Sequence, residues 1–216
     1  MDRARRFLRG DGDAGSRDLL LAGLRADPRI TAAAIEAIGR VPRERFVDPA
    51  DHDVAYEDAA LEIGPAATIS APSMVGEMLT ALGVHPGMTV LEVGAGSGYA
   101  AACLAEMGAA VVGLEILEDL AGRAQRRLDE LGYGDRVTIH TADGAGGWPA
   151  GAPYDGVLVS AAIEAVPKAW LDQVAEGGCI VFPEAGAEYD VLVRLSQEAG
   201  GWRREDLGLC RFVRIR

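Results

Sequence analysis

The residues best placed to do chemistry are acids and hydroxyls spaced around a run of glycines. Leu91-Glu92-Val93-Gly94-Ala95-Gly96-Ser97-Gly98-Tyr99 joins a short apolar run to an Ala-rich stretch, which reads as strand, tight turn and helix. A glycine turn lets the backbone approach a ligand closely, because no Cβ stands in the way. Glu115 ends the next apolar run, about twenty residues on, where an acid can accept both hydroxyls of a ribose. Asp143-Gly144 follows the third run. Each acid alone reads equally well as a solvated strand end. Three at this spacing, all at carboxyl ends of strands, point to a nucleoside site. A dinucleotide turn would want glycine at 94, 96 and 99, and position 99 is Tyr, so a nicotinamide oxidoreductase is the weaker reading.

A second constellation lies upstream. Ala67-Thr68-Ile69-Ser70-Ala71-Pro72 sets two hydroxyls either side of Ile69, just before a proline suited to a helix's first turn. From residue types alone, Ser70 as that helix's N-cap is the better reading. His52, His85 and His140 are scattered and no metal site is expected. Cys103 and Cys179 sit on apolar elements and read as core. Met74 and Met78 share a helix face and also read as core, and Trp148 is as well explained by packing as by lining a pocket.

The elements that must hold these residues alternate. Apolar runs at 89–93, 110–115, 137–140, 156–159 and 179–182 are separated by helical patterns at 99–107 and 119–131. That alternation predicts an α/β fold, a doubly wound and mostly parallel sheet. Ahead of it, Leu19, Leu20 and Leu24 predict one helix, broken at Asp27-Pro28, and Thr31 should cap a second ending near Gly39. Residues 41–58 read as connecting structure, and 1–17, alternating Arg, Asp and Gly, as a loose arm. Residues 1–70 are expected to form an N-terminal helical cap and 71–216 the core. Tyr189–Leu195 and Leu209–Arg214, parted by Gly200-Gly201, are expected to add a C-terminal antiparallel hairpin.

The chain holds 33 acidic and 21 basic residues, a net charge of −12. Nucleic-acid binding needs a basic patch. The arginines of 123–127 and Arg203-Arg204 read as solvated faces, so neither nucleic acid nor an anionic membrane is an expected partner. Three cysteines exclude a disulfide scaffold, and the absence of a leader-like or membrane-length apolar run suggests a cytoplasmic protein. A monomer is favoured over an oligomer.

The pattern Glu92-x-Gly94-x-Gly96-x-Gly98 resembles motif I of class I methyltransferases that use S-adenosyl-L-methionine (AdoMet). Beyond it, the chain is similar to the protein-L-isoaspartate (D-aspartate) O-methyltransferase family over about residues 20–216. The likeness rests on Val41-Pro42-Arg43-Glu44-Arg45-Phe46-Val47, Ala55-Tyr56-Glu57-Asp58, Ala67 to Pro72, the glycine motif, Asp143-Gly144 with Gly147-Trp148, Ala152-Pro153-Tyr154-Asp155, Gly177-Gly178 and Arg211-Phe212-Val213. The resemblance implies a class I methyltransferase fold. It further implies methyl transfer from AdoMet to the free carboxylate of an isoaspartyl residue in a damaged protein or peptide, and the ester then closes to a succinimide. It makes Ser70 the catalytic residue. It makes Thr68, Ile69, Ser70, Glu92, Gly94, Gly96, Gly98, Glu115, Ile116, Asp143 and Gly144 cofactor contacts, and Ala67, Ala161, Ala162 and Val213 substrate contacts.

Three places depart from the family pattern: Pro65-Ala66, Ile163-Glu164, and Asp190 where Gln is common. Glu164 and Asp190 are expected to bring negative charge near the carboxylate pocket, where it would disfavour the acceptor. They motivate an alternative, a relative methylating an aspartate of one dedicated peptide. A non-catalytic AdoMet-binding module is the remote alternative.

Overall fold

The computed structural model describes residues 9–215, with side chains from residue 15. Helix α1 (Arg9–Ala26) is continuous, which overturns the loose arm from Arg9 onward; residues 1–8 lie outside the described residues. Leu20 and Leu24, both buried, anchor one face, and once a helix is nucleated each added residue gains a hydrogen bond at little cost. Asp27-Pro28 ends α1, and Thr31 caps α2 (Ala32–Arg40), its hydroxyl accepting from the Ala34 N–H.

Two 3₁₀ turns follow, at Arg43–Phe46 and Pro49–Val54. Arg43 is wholly buried. It donates from Nε to the Ala55 carbonyl (2.9 Å) and from Nη2 to that of Ala59 (3.2 Å), and it lies 4.9 Å over the Tyr99 ring. The guanidinium thus fastens the connecting segment to the sheet domain. Arg43→Ala would orphan two carbonyls and open a cavity, so it is expected to cost about 3 kcal/mol of stability. Urea unfolding would measure this; a loss well under 1 kcal/mol would mean the segment is held by other contacts.

Next comes a short antiparallel hairpin, β1 (Leu61–Gly64) with β2 (Ala67–Ile69), pairing Glu62 with Thr68. Helix α3 (Pro72–Leu82) starts on Pro72, with Asp58 Oδ1 accepting from the Ser73 N–H at 2.8 Å. Its N-cap position is Ala71 and no side chain of that residue caps it, so Ser70 is not spent on capping.

The remainder runs β3 (Thr89–Val93), α4 (Tyr99–Glu106), β4 (Ala110–Glu115), α5 (Glu118–Glu130), β5 (Val137–Thr141), β6 (Tyr154–Val159), α6 (Lys168–Leu171), β7 (Val174–Glu184), β8 (Asp190–Glu198) and β9 (Gly201–Cys210). The sheet order is β5-β4-β3-β6-β7-β8-β9. The first five strands are parallel and the last two antiparallel. Val90, Val111 and Ile139 face one way, into a core shared with the N-terminal helices, α3, α4 and α5. Leu91, Val93, Leu114, Val157 and Val159 face the other, against Trp170 of α6. Burial of each such side chain contributes about 1.5–3 kcal/mol.

The expected hairpin forms, but its second strand is β9, not 209–214. As an edge strand exposed along Arg203–Asp206, β9 carries charge on both faces and shows no apolar alternation to read. Its arginines pair locally, Arg203 with Glu198 and Arg204 with Glu184 and Asp206. Residues 211–215 run instead beside Ala162. No helix among the described residues is long and apolar enough to cross a membrane.

Candidate active site

The strand order reverses at β3, between β4 and β6, and open parallel sheets bind ligands at the carboxyl ends beside such a reversal. Two cavities open there. The outer one runs past Gly94, Glu115, Ile116, Asp143 and Gly144. The inner one lies under the hairpin among Ile69, Ser70, Met78, Glu92, Gly96 and Tyr99. Thr68 and Ser160 line both and so mark their junction.

The turn between β3 and α4 keeps its shape through its neighbours. Gly94 has φ +80° and Gly98 φ +85°, a region costly to residues with a Cβ. A Cβ on Gly98 would also meet Leu128 of α5 at 3.0 Å. Glu115, 7 % exposed, accepts from Gly96 N–H through Oε2 and from Leu117 N–H through Oε1, each at 3.0 Å. Arg127 donates to the Ser97 carbonyl (2.9 Å), and Arg123 to that of Ile63 in the hairpin (3.2 Å). The expectation of a solvated arginine face is therefore corrected at the half-buried Arg127, while Arg123 is exposed as expected and makes one backbone contact besides. The Arg127 guanidinium also lies 5.5 Å over the Phe46 ring, and both arginine heads tie down backbone flanking the cavities.

Glu92 is the electrostatic anomaly. It is 1 % exposed; Oε1 receives only a long bond from the Ser160 hydroxyl (3.5 Å), and Oε2 has no partner. Burial pushes its pKa up to about 8, with the charge of Glu115 adding to the shift. A buried acceptor left unpaired costs on the order of 1–3 kcal/mol. Such a group, facing a cavity, is suited to a cationic or donor-rich ligand.

The comparisons with known proteins agree with this geometry. A family model described as "Protein-L-isoaspartate(D-aspartate) O-methyltransferase (PCMT)" matches residues 16–216. The chain belongs to this family. It is 45% identical over 183 residues to "Protein-L-isoaspartate O-methyltransferase 2" of Anaeromyxobacter sp. (strain Fw109-5), covering 84% of this chain and 75% of the relative. It is 44% identical over 182 residues to the "Protein-L-isoaspartate O-methyltransferase" of Gloeobacter violaceus, covering 84% and 88%. Among solved structures, a protein-L-isoaspartate O-methyltransferase superposes with TM-score 0.82 at 26% identity, covering 92% of this chain and 65% of that one. A Plasmodium falciparum structure described as a putative member superposes at 0.80 and 24% identity, covering 91% and 96%, and supports the fold.

Within this family fold, the residues singled out in the sequence separate by place. Thr68, Gly94, Glu115, Ile116, Asp143, Gly144, Ala67, Ala161 and Val213 line the outer cavity; Thr68, Ile69, Ser70, Glu92 and Gly96 line the inner. Asp143 is exposed and Oδ1 accepts from Ala145 N–H at 2.9 Å, which orients it. Gly144 is fixed by packing: a Cβ would lie 2.4 Å from Val93 Cγ1. Two residues fall outside both linings. Gly98 faces α5, and Ala162 stands behind the wall, binding Val213 O and Ile215 N through its backbone.

Trp148 also lies outside, stacked on His140 at 4.1 Å, so packing explains it. Among the described residues no cluster of His, Cys, Asp and Glu could hold a metal ion.

The expectation for Glu164 and Asp190 is overturned. Glu164 is exposed and lines neither cavity. Asp190 is 3 % exposed, accepts from Phe212 N–H (2.8 Å) and Gly186 N–H (3.3 Å), and is ion-paired with Arg214 at 3.0 Å. Its charge is thus consumed in holding the C-terminal strip. Sequence reading missed Ser160 and Arg214. Ser160 directly follows β6, so the rule that ligands sit at carboxyl ends of parallel strands would have found it; Arg214 carried no signal.

Proposed function

We propose that the protein binds AdoMet along the Gly94 turn and transfers its methyl to the free carboxylate of isoaspartyl residues in proteins or peptides, at the junction of the two cavities. The observation that carries this reading is the unpartnered, buried Glu92 carboxylate beside the turn. It fits the positively charged amino-acid end of AdoMet, while Glu115 suits the ribose hydroxyls and Asp143 the adenine amino group. The activity named for the bacterial relatives, which match most of this chain, supports the same acceptor.

AdoMet supplies, when bound, a methyl group on a positively charged sulfur that departs as a neutral thioether. The chain's own task is modest. An acceptor carboxylate, with an ordinary pKa near 4, is already a nucleophile at neutral pH and needs no general base. Ser70, in the inner cavity and free of capping duty, donates a hydrogen bond that fixes the carboxylate without becoming covalent. Ile69 and Met78, both buried, exclude water from the attacking oxygen. Alignment of this kind can supply most of the acceleration. Ala67, Ala161 and Val213 shape the acceptor side.

Glu92 gives the reading a pH signature. Neutral in the free protein below about pH 8, it must lose its proton to hold a cation. AdoMet affinity is therefore expected to rise with pH, by up to about tenfold per unit between pH 6 and 7.5. Calorimetry in buffers of different ionisation enthalpy should show proton release, and Glu92→Gln should flatten this component of the slope. An identical slope in wild type and Glu92→Gln would remove Glu92 from the role.

Transfer of labelled methyl from AdoMet to an isoaspartyl peptide, with the same sequence carrying normal aspartate as control, tests the function. Incorporation confined to the isoaspartyl peptide is expected. No incorporation, or equal labelling of both, would refute it.

A further inference from the structure

Arg214 is the only cation among the described residues that line the two cavities, whose carboxylates are Glu92, Glu115 and Asp143. It stands on the strip 213–215, which lines the outer cavity together with the hairpin residues 66–68. The guanidinium is held from behind. Nη1 meets Asp190 Oδ1 at 3.0 Å and Nη2 donates to the Gly186 carbonyl at 2.7 Å. Those two contacts use two of its five N–H donors. Asp190 is in turn locked by the backbone N–H groups of Gly186 and Phe212. The Arg214 side chain nevertheless keeps 54% of its surface exposed against 5% for Asp190. A buried, fully bonded carboxylate therefore fixes a half-exposed guanidinium on the strip that lines the outer cavity, and a planar fork so held, with donors to spare, is preorganised for a second carboxylate.

The surrounding charge makes this placement consequential. A net charge of −12 repels an acidic acceptor at long range, so attraction for acidic peptide must come from a cation beside the site. We infer that Arg214 is a specificity-determining residue. It favours acceptors that carry an Asp or Glu side chain next to the isoaspartyl residue, by pairing with that flanking carboxylate rather than with the one that is methylated. This inference rests on the isoaspartyl reading above.

The test uses isoaspartyl peptides that differ only in Glu or Gln at the position before or after the modified residue. The quantity read is the ratio of kcat/KM for the Glu peptide to that for its Gln twin. At low salt this ratio is expected to be about five-fold higher in wild type than in Arg214→Ala at one of the two positions, the size of a partly exposed ion pair. Arg214→Lys, which keeps the charge but not the fork, should retain only part of it, and half-molar salt should shrink the wild-type advantage. Because both peptides meet the same enzyme preparation, a loss of folded protein cancels in the ratio. Equal ratios in wild type and Arg214→Ala at both positions would overturn the inference alone. Failure of wild type to methylate the Gln peptides would overturn the isoaspartyl reading, and this inference with it.

Discussion

Glu115→Ala is expected to weaken AdoMet binding about 10- to 100-fold, the equivalent of roughly 1–3 kcal/mol in charge-assisted hydrogen bonds. The size follows from two losses at one atom pair. The ribose would lose its anionic acceptor, and Gly96 N–H and Leu117 N–H, now bonded to Oε2 and Oε1, would both lose theirs. The second loss lets the glycine turn relax, so preorganisation falls together with contact. Glu115→Gln keeps an acceptor for one of the two amides and should fall between wild type and Ala. Calorimetry with S-adenosylhomocysteine measures all three, and equal affinities would take Glu115 out of the cofactor site.

Ser70→Ala should leave cofactor affinity within about two-fold and lower kcat about 10- to 100-fold. That range corresponds to one hydrogen bond to a charged group, 1.5–3 kcal/mol, realised in the aligned complex. The fold gives this substitution an unusually clean interpretation. Because α3 begins on Pro72 and takes its first-turn acceptor from Asp58, removing the Ser70 hydroxyl deletes no cap, and the melting temperature should hardly move. Ser70→Thr retains the donor and should recover part of the rate. Unchanged turnover in Ser70→Ala would leave the acceptor to be oriented by Thr68 or Ser160, the other hydroxyls at the cavity junction.

The parallel half of the sheet was legible because each strand is a short apolar run closed by a turn signal, and the acids at its carboxyl ends stand at readable spacing. Glu92 was visible as an acid inside an apolar run, Leu91-Glu92-Val93. That its second oxygen has no partner depends on which side chains surround it, which spacing cannot show. The hairpin at 61–69 escaped notice because its strands are short and its turn, Gly64-Pro65-Ala66, puts a non-glycine residue, Ala66, at φ +54°. Strand β9 was misplaced because its charges pair across the sheet edge and leave no alternation. Arg127 looked solvated because helical periodicity reports where a side chain starts, and a long side chain ends elsewhere. Asp190 looked like a hostile charge near the acceptor until its partner, twenty-odd residues on in sequence, proved to be Arg214. Long-range pairs of this kind are the part of a site that a single sequence hides.

The most direct test of where the chemistry occurs is a crystal structure with S-adenosylhomocysteine and an isoaspartyl peptide bound together. The nucleoside is expected along the Gly94 turn with its ribose on Glu115, and the peptide's free carboxylate against Ser70 between Thr68 and Ser160. A nucleoside seated away from that turn, or a carboxylate that enters by another face of the sheet, would contradict this placement.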